Sequence, residues 1–422
     1  MRRLVGVLLT GLLFAASEVR AQEPVLKLVT FDQAVAEAVA ENPTVARAAT
    51  AINRAEAVLS QARSVTRPTV NSTIVSSTVD TAVSFDDNVI QPQSQVTFGA
   101  DIGMAILAPA RWAQMAQARD QVEVATESAA DVRRQIGVAA AQTWLMVLAS
   151  QRQVGVEERA LETARAHLQY AQRRFDAGAG SRLNMVRAAQ EVSTDEARLE
   201  VTRLALRAAQ EALGVLLAEN GPVDITGEPS LAVPATIDES AWMAARSDLR
   251  TQNTIVRASE RIVNDNWKDF GPSANLSFNP AYVTPSGLFQ PSRSWRLTVS
   301  FVQPIFLGGL RSAVSREKQS LLTSERLALT ELELQARSEV RLAQATVASR
   351  ERALTSIRTA AEQANEVLKI TTVAFEVGAT TNIEVIDAQR SARDAETIAA
   401  VALDGLERAR LDLLVAIGQF PK

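Results

Sequence analysis

Side chains that commonly carry out catalysis or bind metals are scarce in this sequence. The 422 residues include no cysteine and one histidine, His167. Without cysteine we expect no disulfide, thiolate nucleophile or amino-terminal lipid attachment, and a single histidine does not make a zinc site. Gly308 and Gly309 lack the spacing and the lysine of a phosphate-binding loop, so they indicate a bend between two elements. The sequence therefore predicts no enzyme, no cofactor and no metal site.

Glu384 and Asp387 are two carboxylates that lie just after the second of two glycine turns. Their separation of three residues places both on one face of a helix. Repeated around the axis of an oligomer, they would form rings that repel, raise the pKa of some members and attract cations. The equivalent residues of an internal repeat are Asn184 and Arg187, and Arg187 could pair with Asp387 of a neighbouring helix. A second interpretation is that Glu384 only stabilises the start of its helix through the helix dipole.

The elements that carry these residues are two helical hairpins that repeat at an offset of 200 residues. Apolar residues recur at every seventh position upstream of each turn, a pattern typical of helices that supercoil against their neighbours. The turns read Phe175-Asp176-Ala177-Gly178-Ala179 and Phe375-Glu376-Val377-Gly378-Ala379; the heptad positions are Val147, Val154, Leu161 and Leu168, then Val347, Leu354, Ala361 and Leu368. Each copy is predicted to be a long coiled-coil hairpin.

The repeat divides the chain into two halves of the same order: a helix, a β-hairpin and a long helical hairpin. Changes of hydrophobic period and clusters of Pro and Gly mark the boundaries. The predicted ranges are a first half over 22–217, with a helix from Thr30 to Arg67, a β-hairpin at 69–107 and a tip near 175–184; a linker over 218–238; and a second half over 239–422, with a helix from Glu239 to Asp269, a β-hairpin at 273–303 and a tip near 375–384.

The amino terminus has the three parts of a secretory signal peptide. Basic residues at Arg2 and Arg3 precede an apolar run from Leu4 to Ala16, and Val19-Arg20-Ala21 is a suitable cleavage site. We therefore expect residues 1–21 to be removed and the protein to be exported. The alternative is an uncleaved anchor, but the run is shorter than the roughly 20 apolar residues that a spanning helix needs.

The predicted strands have one apolar and one polar face. The alternation is clear from Val96 to Ile106 and weaker from Val70 to Val83, with a loop over Ser84–Ser94 between them. Strands of about 10 residues suit the wall of an outer-membrane barrel. The second half repeats the pattern at Ser273–Tyr282 and Ser294–Gln303, and aromatic residues mark the two ends: Trp112, Phe270 and Phe306 at one, and Tyr282, Phe289 and Trp295 at the other. The alternative is a set of half-buried strands packed on helices.

The number of strands predicts an obligate oligomer. Four strands do not close a barrel, and open edges in lipid leave backbone groups without partners. Two copies would give eight strands around a filled interior, whereas three copies would give twelve around a lumen. With 44 basic and 48 acidic residues the net charge is −4 and no basic stripe stands out, so nucleic acid is not an expected partner.

The whole mature chain resembles the TolC-like outer membrane efflux family. The resemblance rests on the opening Leu28-Val29-Thr30-Phe31-Asp32-Gln33-Ala34, the following Glu41-Asn42-Pro43, the duplicated Phe-x-x-Gly turns and the Pro-started strands. It implies a mixed α and β membrane protein: a homotrimer with a β-barrel in the outer-membrane lipid and an α-helical tunnel through the periplasm. It also implies a passive duct for efflux or type I secretion, completed by a periplasmic adaptor and an inner-membrane pump.

The resemblance further implies roles for the residues around the two turns. Glu384 and Asp387 match an acidic pair at the periplasmic gate, whereas Asn184 and Arg187 depart from the acidic pattern. The alternative for the two glycines is that they merely reverse the chain. The residues expected to form the adaptor-docking tips are Phe175, Gly178, Ala179, Arg182, Leu183, Phe375, Gly378, Ala379, Thr380 and Ile383.

Two other classes of protein use long helical hairpins. A periplasmic adaptor carries one such hairpin between split β-domains, whereas this chain has two. A structural coiled-coil protein of the envelope would need no strands. Neither class accounts for the alternation of the four strands, so an outer-membrane duct is the favoured prediction.

Overall fold

The computed structural model describes residues 26–86, 88–234 and 236–421. The predicted signal peptide, residues 1–21, lies outside the described residues. The elements of the first half are β1 (Lys27–Val29), α1 (Phe31–Glu41), α2 (Pro43–Ser64), β2 (Thr69–Thr78), β3 (Val83–Phe85), β4 (Asn88–Gln91), β5 (Ser94–Leu107), α3 (Pro109–Asp176) and α4 (Arg182–Leu216).

The second half follows the same order of helices, strands and hairpin. Its long helix has 67 residues and the one in the first half has 68, so each is about 100 Å long. The elements are β6 (Val223–Ile225), α5 (Glu239–Ala245), α6 (Ser247–Asn264), a 3-10 turn (Asn266–Phe270), β7 (Ser273–Thr284), β8 (Arg293–Val302), α7 (Leu310–Glu376) and α8 (Asn382–Ala416).

Both predicted leading helices are broken, which corrects the prediction of one continuous helix in each half. Asn42 ends α1 and begins α2, because its side-chain oxygen accepts from the Thr44 amide at 2.8 Å and Pro43 at the first helical position has no amide to donate. In the second half Arg246 is extended between α5 and α6. Its guanidinium pairs with Asp248 and Glu339 and so ties the break to α7.

A hydrophobic core lies midway along the long helices, where the other elements wrap around them. The indole of Trp144 in α3 is fully buried, meets the ring of Phe31 edge to face at 5.3 Å and donates to the Val29 carbonyl. Phe420 packs on Phe31 from the carboxyl end of the chain. The predicted linker contributes β6, which pairs in parallel with β1. Neither short strand was predicted from the sequence.

The four main strands form one antiparallel sheet in the order β2-β5-β7-β8. The register places apolar residues opposite apolar residues on one face, where Phe98 faces Tyr282 and Phe278 faces Leu297. On the other face the polar side chains of Asp101 and Asn279 form a hydrogen bond. The predicted alternation of single strands thus becomes an apolar face that extends across β5, β7 and β8. This face is uncovered, with Trp295 70% exposed. The alternative of strands packed on helices is therefore wrong.

The region at the distal end of the sheet departs from the prediction. The first strand ends at Thr78 and not near Val83, and the predicted loop over 84–94 contains β3 and β4. Asp86 adopts a φ of 55° at the turn between these two strands, a conformation that Asp tolerates better than most residues. The amide of Leu288, in the turn after β7, donates to the Val89 carbonyl, so the distal turns of the two halves are joined.

The heptad positions lie inside the helical hairpins, as predicted. Val147, Leu161, Val347 and Leu354 are buried against neighbouring helices. Within the described residues, no helix combines the length and the apolar character that crossing a membrane requires. Charged residues along a long helix usually lie on its solvated face, but Glu157 in α3 is buried, and its carboxylate accepts a hydrogen bond from Gln153.

Candidate functional site

The two hairpin turns have the same backbone geometry. After α3, Gly178 has a φ of 73° and its amide donates to the Phe175 carbonyl, while the Ala179 amide donates to the Arg174 carbonyl. After α7, Gly378 has a φ of 81° and the corresponding pair of bonds forms. This is the Schellman ending of a helix, which needs a residue without Cβ strain at positive φ. The glycines therefore account for both reversals.

The helices that leave the turns are capped differently. Ser181 accepts from the Asn184 amide at 3.2 Å, so α4 has a simple cap. Thr381 accepts from the Glu384 amide, and the Glu384 carboxylate accepts from the Thr381 amide at 3.3 Å, which closes a capping box on α8. Such a box satisfies two backbone donors that helix starts leave unpaired. Glu384 thus has a local structural role within a single chain.

Asp387 lies one turn beyond Glu384 and is exposed. Its charge acts on Arg390, whose pKa is raised above its ordinary value, first by hydrogen bonding to Glu191 and further by Asp387. Arg187 is half-buried, and no ion pair joins it to Asp387 within the part of the chain that the structure describes. The pairing that the sequence suggested is therefore not made within the described residues of one chain.

The residues predicted to form docking tips divide into exposed and supporting ones. Phe175 is 38% exposed, whereas its counterpart Phe375 is 6% exposed and packs on the rings of His167 and Tyr170, with the Arg174 guanidinium 5.7 Å from its centroid. Phe375 therefore binds α3 and α7 together near the tip. Thr380 is half-buried, and the exposed members are Gly178, Ala179, Arg182, Leu183, Gly378, Ala379 and Ile383.

His167 connects α3 to the first residue of α8. Its Nε2 lies 2.8 Å from the Asn382 Oδ1, and both side chains are buried. Burial lowers the pKa of His167 below its ordinary value, and the hydrogen bond to Asn382 opposes this shift only in part. The neutral ring is the favoured form, with its Nε2 proton donated to the amide oxygen. This contact is adjacent to the predicted gate residues.

Four charged side chains join α4 to α8 two turns further from the tip. Arg390 donates hydrogen bonds to both carboxylate oxygens of Glu191, the shortest at 2.6 Å, and Arg393 donates to Asp195 at 2.8 Å. Arg393, Glu191 and Asp195 are buried. Burial alone would raise the pKa of Glu191, but the bonds and charge of Arg390 and the charge of Arg393 hold it below its ordinary value. For Asp195 burial prevails over Arg393, and its pKa is raised.

Sequence reasoning missed this four-residue cluster, Glu191, Asp195, Arg390 and Arg393, and the partner of His167. Charges along an amphipathic helix have the same pattern whether they face water or a second helix. The available signal was weak: Ala188, Val192 and Leu199 form the buried stripe of α4, and Glu191 and Asp195 lie beside that stripe and not opposite it.

The fold defines the class of protein. Two helical hairpins, each with one helix of about 100 Å, continue into a sheet with an uncovered apolar face and a polar reverse face, as a duct subunit with a membrane barrel and an aqueous helical tunnel requires. The profile of the family described as outer membrane efflux protein matches residues 34–219 and 240–419. The chain belongs to this family, and the resemblance seen in the sequence is confirmed. It is a component of an outer-membrane efflux duct whose helices extend into the periplasm.

Solved structures of low sequence identity share this fold. A membrane protein from Pseudomonas aeruginosa has 21% identity and a TM-score of 0.79, over 92% of this chain and 93% of that one. The CmeC outer membrane channel of Campylobacter jejuni has 14% identity and a TM-score of 0.79, over 93% and 87%. The outer membrane protein VceC of Vibrio cholerae has 14% identity and a TM-score of 0.77, over 92% and 96%. No curated protein sequence matches the chain.

Proposed function

We propose that the chain is the outer-membrane duct of a tripartite exporter, in which an inner-membrane pump and a periplasmic adaptor deliver substrates for passive release outside the cell. The observation that carries the proposal is the continuity of the sheet with the long hairpins in one chain. A conduit needs a polar path on the inside and an apolar surface only where it crosses lipid. Efflux and type I secretion both fit this arrangement, and neither requires catalysis by the duct.

A homotrimer is the assembly that the sheet favours. The edge strands β2 and β8 have free backbone groups within the described chain, and lipid offers no water to satisfy them. Three copies of a four-stranded sheet supply twelve strands, enough for a barrel with a lumen. Native mass spectrometry of the protein in mild detergent should give a trimer. A folded monomer or dimer would contradict this assembly.

The proposed gate lies where the tips of the three copies converge. Glu384 and Asp387 would contribute two rings of carboxylates, and the Arg187 of one copy would pair with the Asp387 of the next to hold the entrance shut. Asn184 occupies the position of Glu384 in the first repeat and adds a neutral side chain. The exposure of Asp387 and the half-burial of Arg187 support this proposal, since both can reach a second chain.

The proposed adaptor contact is the exposed surface of the two turns. Leu183 and Ile383 are apolar residues exposed on the first turn of α4 and α8, respectively, beside the small Ala179 and Ala379. Apolar groups surrounded by small residues suit docking by another helical hairpin. Phe375 would act here as internal support and not as a contact.

The absence of cysteine from the sequence allows a sharp test of this contact. Arg182→Cys and Thr380→Cys, each the only cysteine in its chain, should crosslink to the adaptor through a short bifunctional reagent. Ser349→Cys, exposed in the middle of α7, is the matched control and should not crosslink. Crosslinks from Ser349→Cys alone would overturn the tip as the docking site, and the glycines would then serve only to reverse the chain.

A further inference from the structure

An arginine stands on the apolar face of the sheet. Residues that face one another across strands lie on the same side, and Arg293 faces Tyr282, which faces Phe98. Trp295, two residues along β8, faces Pro280 on that side. Arg296 falls on the opposite, polar side, where it faces Asn279. Arg293 is therefore the charged member of a face whose other side chains are apolar, aromatic or small hydroxyl residues such as Ser72 and Ser76.

The position of Arg293 along the strand corresponds to the far edge of the membrane. The 10 residues of β8 cover about 33 Å along the strand, or about 25 Å across the membrane at the usual barrel tilt. That is the height of the apolar band of a barrel. Because β8 leads toward the periplasmic helices at its other end, Arg293 lies at the outer leaflet. Tyr282 and Trp295 are positioned beside it as an interfacial aromatic belt.

The polar groups at this edge are hydrogen-bond donors that have no side-chain acceptor among the residues that the structure describes. No carboxylate of the described residues pairs with Arg293, and neither the Tyr282 hydroxyl nor the Trp295 indole N–H bonds another side chain of that part of the chain. Together with Phe98 and Phe278 they line a shallow depression of about 720 Å³. A cation exposed to lipid is unfavourable unless it meets an anion at headgroup depth.

We propose that Arg293, with Tyr282 and Trp295, binds the phosphate of an outer-leaflet lipid headgroup, that of lipopolysaccharide, at one site in each protomer. The planar guanidinium donates two parallel hydrogen bonds to phosphate, and the aromatic rings contact the apolar part of the same lipid. The inference goes beyond the proposed export function and requires only the outer-membrane location.

The test measures lipid binding to the purified full-length oligomer in mild detergent by native mass spectrometry. Bisphosphorylated lipid A is compared with its dephosphorylated form and with inorganic phosphate as a competitor. Arg293→Gln should weaken binding of the bisphosphorylated lipid on the order of tenfold, since a charge-assisted bond is lost. The affinity of Arg293→Lys for the bisphosphorylated lipid should fall between those of Arg293→Gln and the wild type. Arg296→Gln, on the polar face of the same strand, should bind this lipid as the wild type does.

Three results would overturn the proposal. Equal binding of bisphosphorylated lipid A to Arg293→Gln and to the wild type would show that the arginine does not bind the phosphate. Equal binding of the two forms of lipid A to the wild type would leave only apolar contact. Displacement of the lipid by millimolar inorganic phosphate would indicate a site for a free anion. Heat-modifiable migration on a gel verifies that each variant has a folded barrel. The comparison of the two forms of lipid A and the competition with phosphate use only the wild type, so they do not depend on the folding of a variant.

Discussion

Asp195 in α4 accepts a 2.8 Å hydrogen bond from Arg393 in α8, and both side chains are buried between the two helical hairpins. Together with the bond from Arg390 to Glu191, this pair joins the halves of the chain near the tip. A buried ion pair adds little net stability by itself, but the loss of one partner leaves a charge without solvent or counterion. The pair is therefore a contact that fixes how the hairpins fit together.

Arg393→Met should destabilise the periplasmic helices by about 3–5 kcal/mol, because Asp195 is left buried and unpaired. Burial already raises the pKa of Asp195, and the loss of Arg393 should raise it further, so the variant loses more stability as pH rises. Urea unfolding of the solubilised oligomer, followed by far-UV circular dichroism at several pH values, measures both effects. The double variant Arg393→Met with Asp195→Leu is the control and should recover most of the loss. Equal stability of the single and double variants would contradict this account.

His167 should make stability dependent on pH in a defined window. Its pKa is lowered in the folded chain by burial, so the unfolded state binds the proton more readily below about pH 6.5. The neutral ring contributes its full amount to the free energy of unfolding above that pH, and this contribution is lost as the pH falls through the pKa that His167 has in the folded chain. Thermal unfolding from pH 7.5 to 5 should show this loss for the wild type, and the difference from His167→Gln should isolate it from the carboxylates.

The sequence contains one histidine, so no other imidazole contributes to that difference. Asp195, Asp404 and Asp412 have pKa values raised by burial and therefore act in the opposite direction, but they are present in both proteins. A pH profile of His167→Gln that is parallel to the wild-type profile would show that the ring is not buried in the native oligomer.

The carboxylates of the proposed gate can be tested separately from the cap of α8. Glutamine also closes a capping box, so Glu384→Gln removes the charge and keeps the bond to the Thr381 amide. Glu384→Gln with Asp387→Asn should reduce cation selectivity and abolish block by divalent cations in single-channel recordings. Glu384→Ala is the comparison, because it also removes the cap and should lower thermal stability. Unchanged selectivity and block in the double variant would rule out the rings.

Two helical glycines should respond in opposite directions to replacement by alanine. A Cβ at Gly214 in α4 would lie 2.1 Å from the Gly221 carbonyl oxygen, a backbone atom of the linker that has little room to move. Gly214→Ala should therefore lower the unfolding temperature by several degrees. A Cβ at Gly155 in α3 would meet only the end of the flexible Arg159 side chain at 3.6 Å, so Gly155→Ala should gain about 0.5–1 kcal/mol. An unchanged unfolding temperature for Gly214→Ala would show that the linker backbone moves to make room for the Cβ.

Local patterns were sufficient to predict the long hairpins and the four main strands. Heptads, alternation and glycine turns reflect the geometry of a single element, so Val147 and Leu161 were correctly expected inside a helix contact and Phe98 and Ile102 on one face of a strand. The duplication strengthened each prediction, since the same pattern appears twice. The breaks at Asn42 and Arg246 were missed because amphipathic spacing continues across them.

Contacts between elements depended on tertiary structure. Phe175 and Phe375 have the same place in the repeat, yet one is exposed and the other is buried, because only the second lies against the rings of His167 and Tyr170. Arg393 and Asp195 are 198 residues apart, and a charged side chain has the same sequence signature whether it meets water or a distant carboxylate. Likewise, the alternation in β8 does not reveal that Arg293 shares a face with Phe98, because that follows from hydrogen-bond register across three strands.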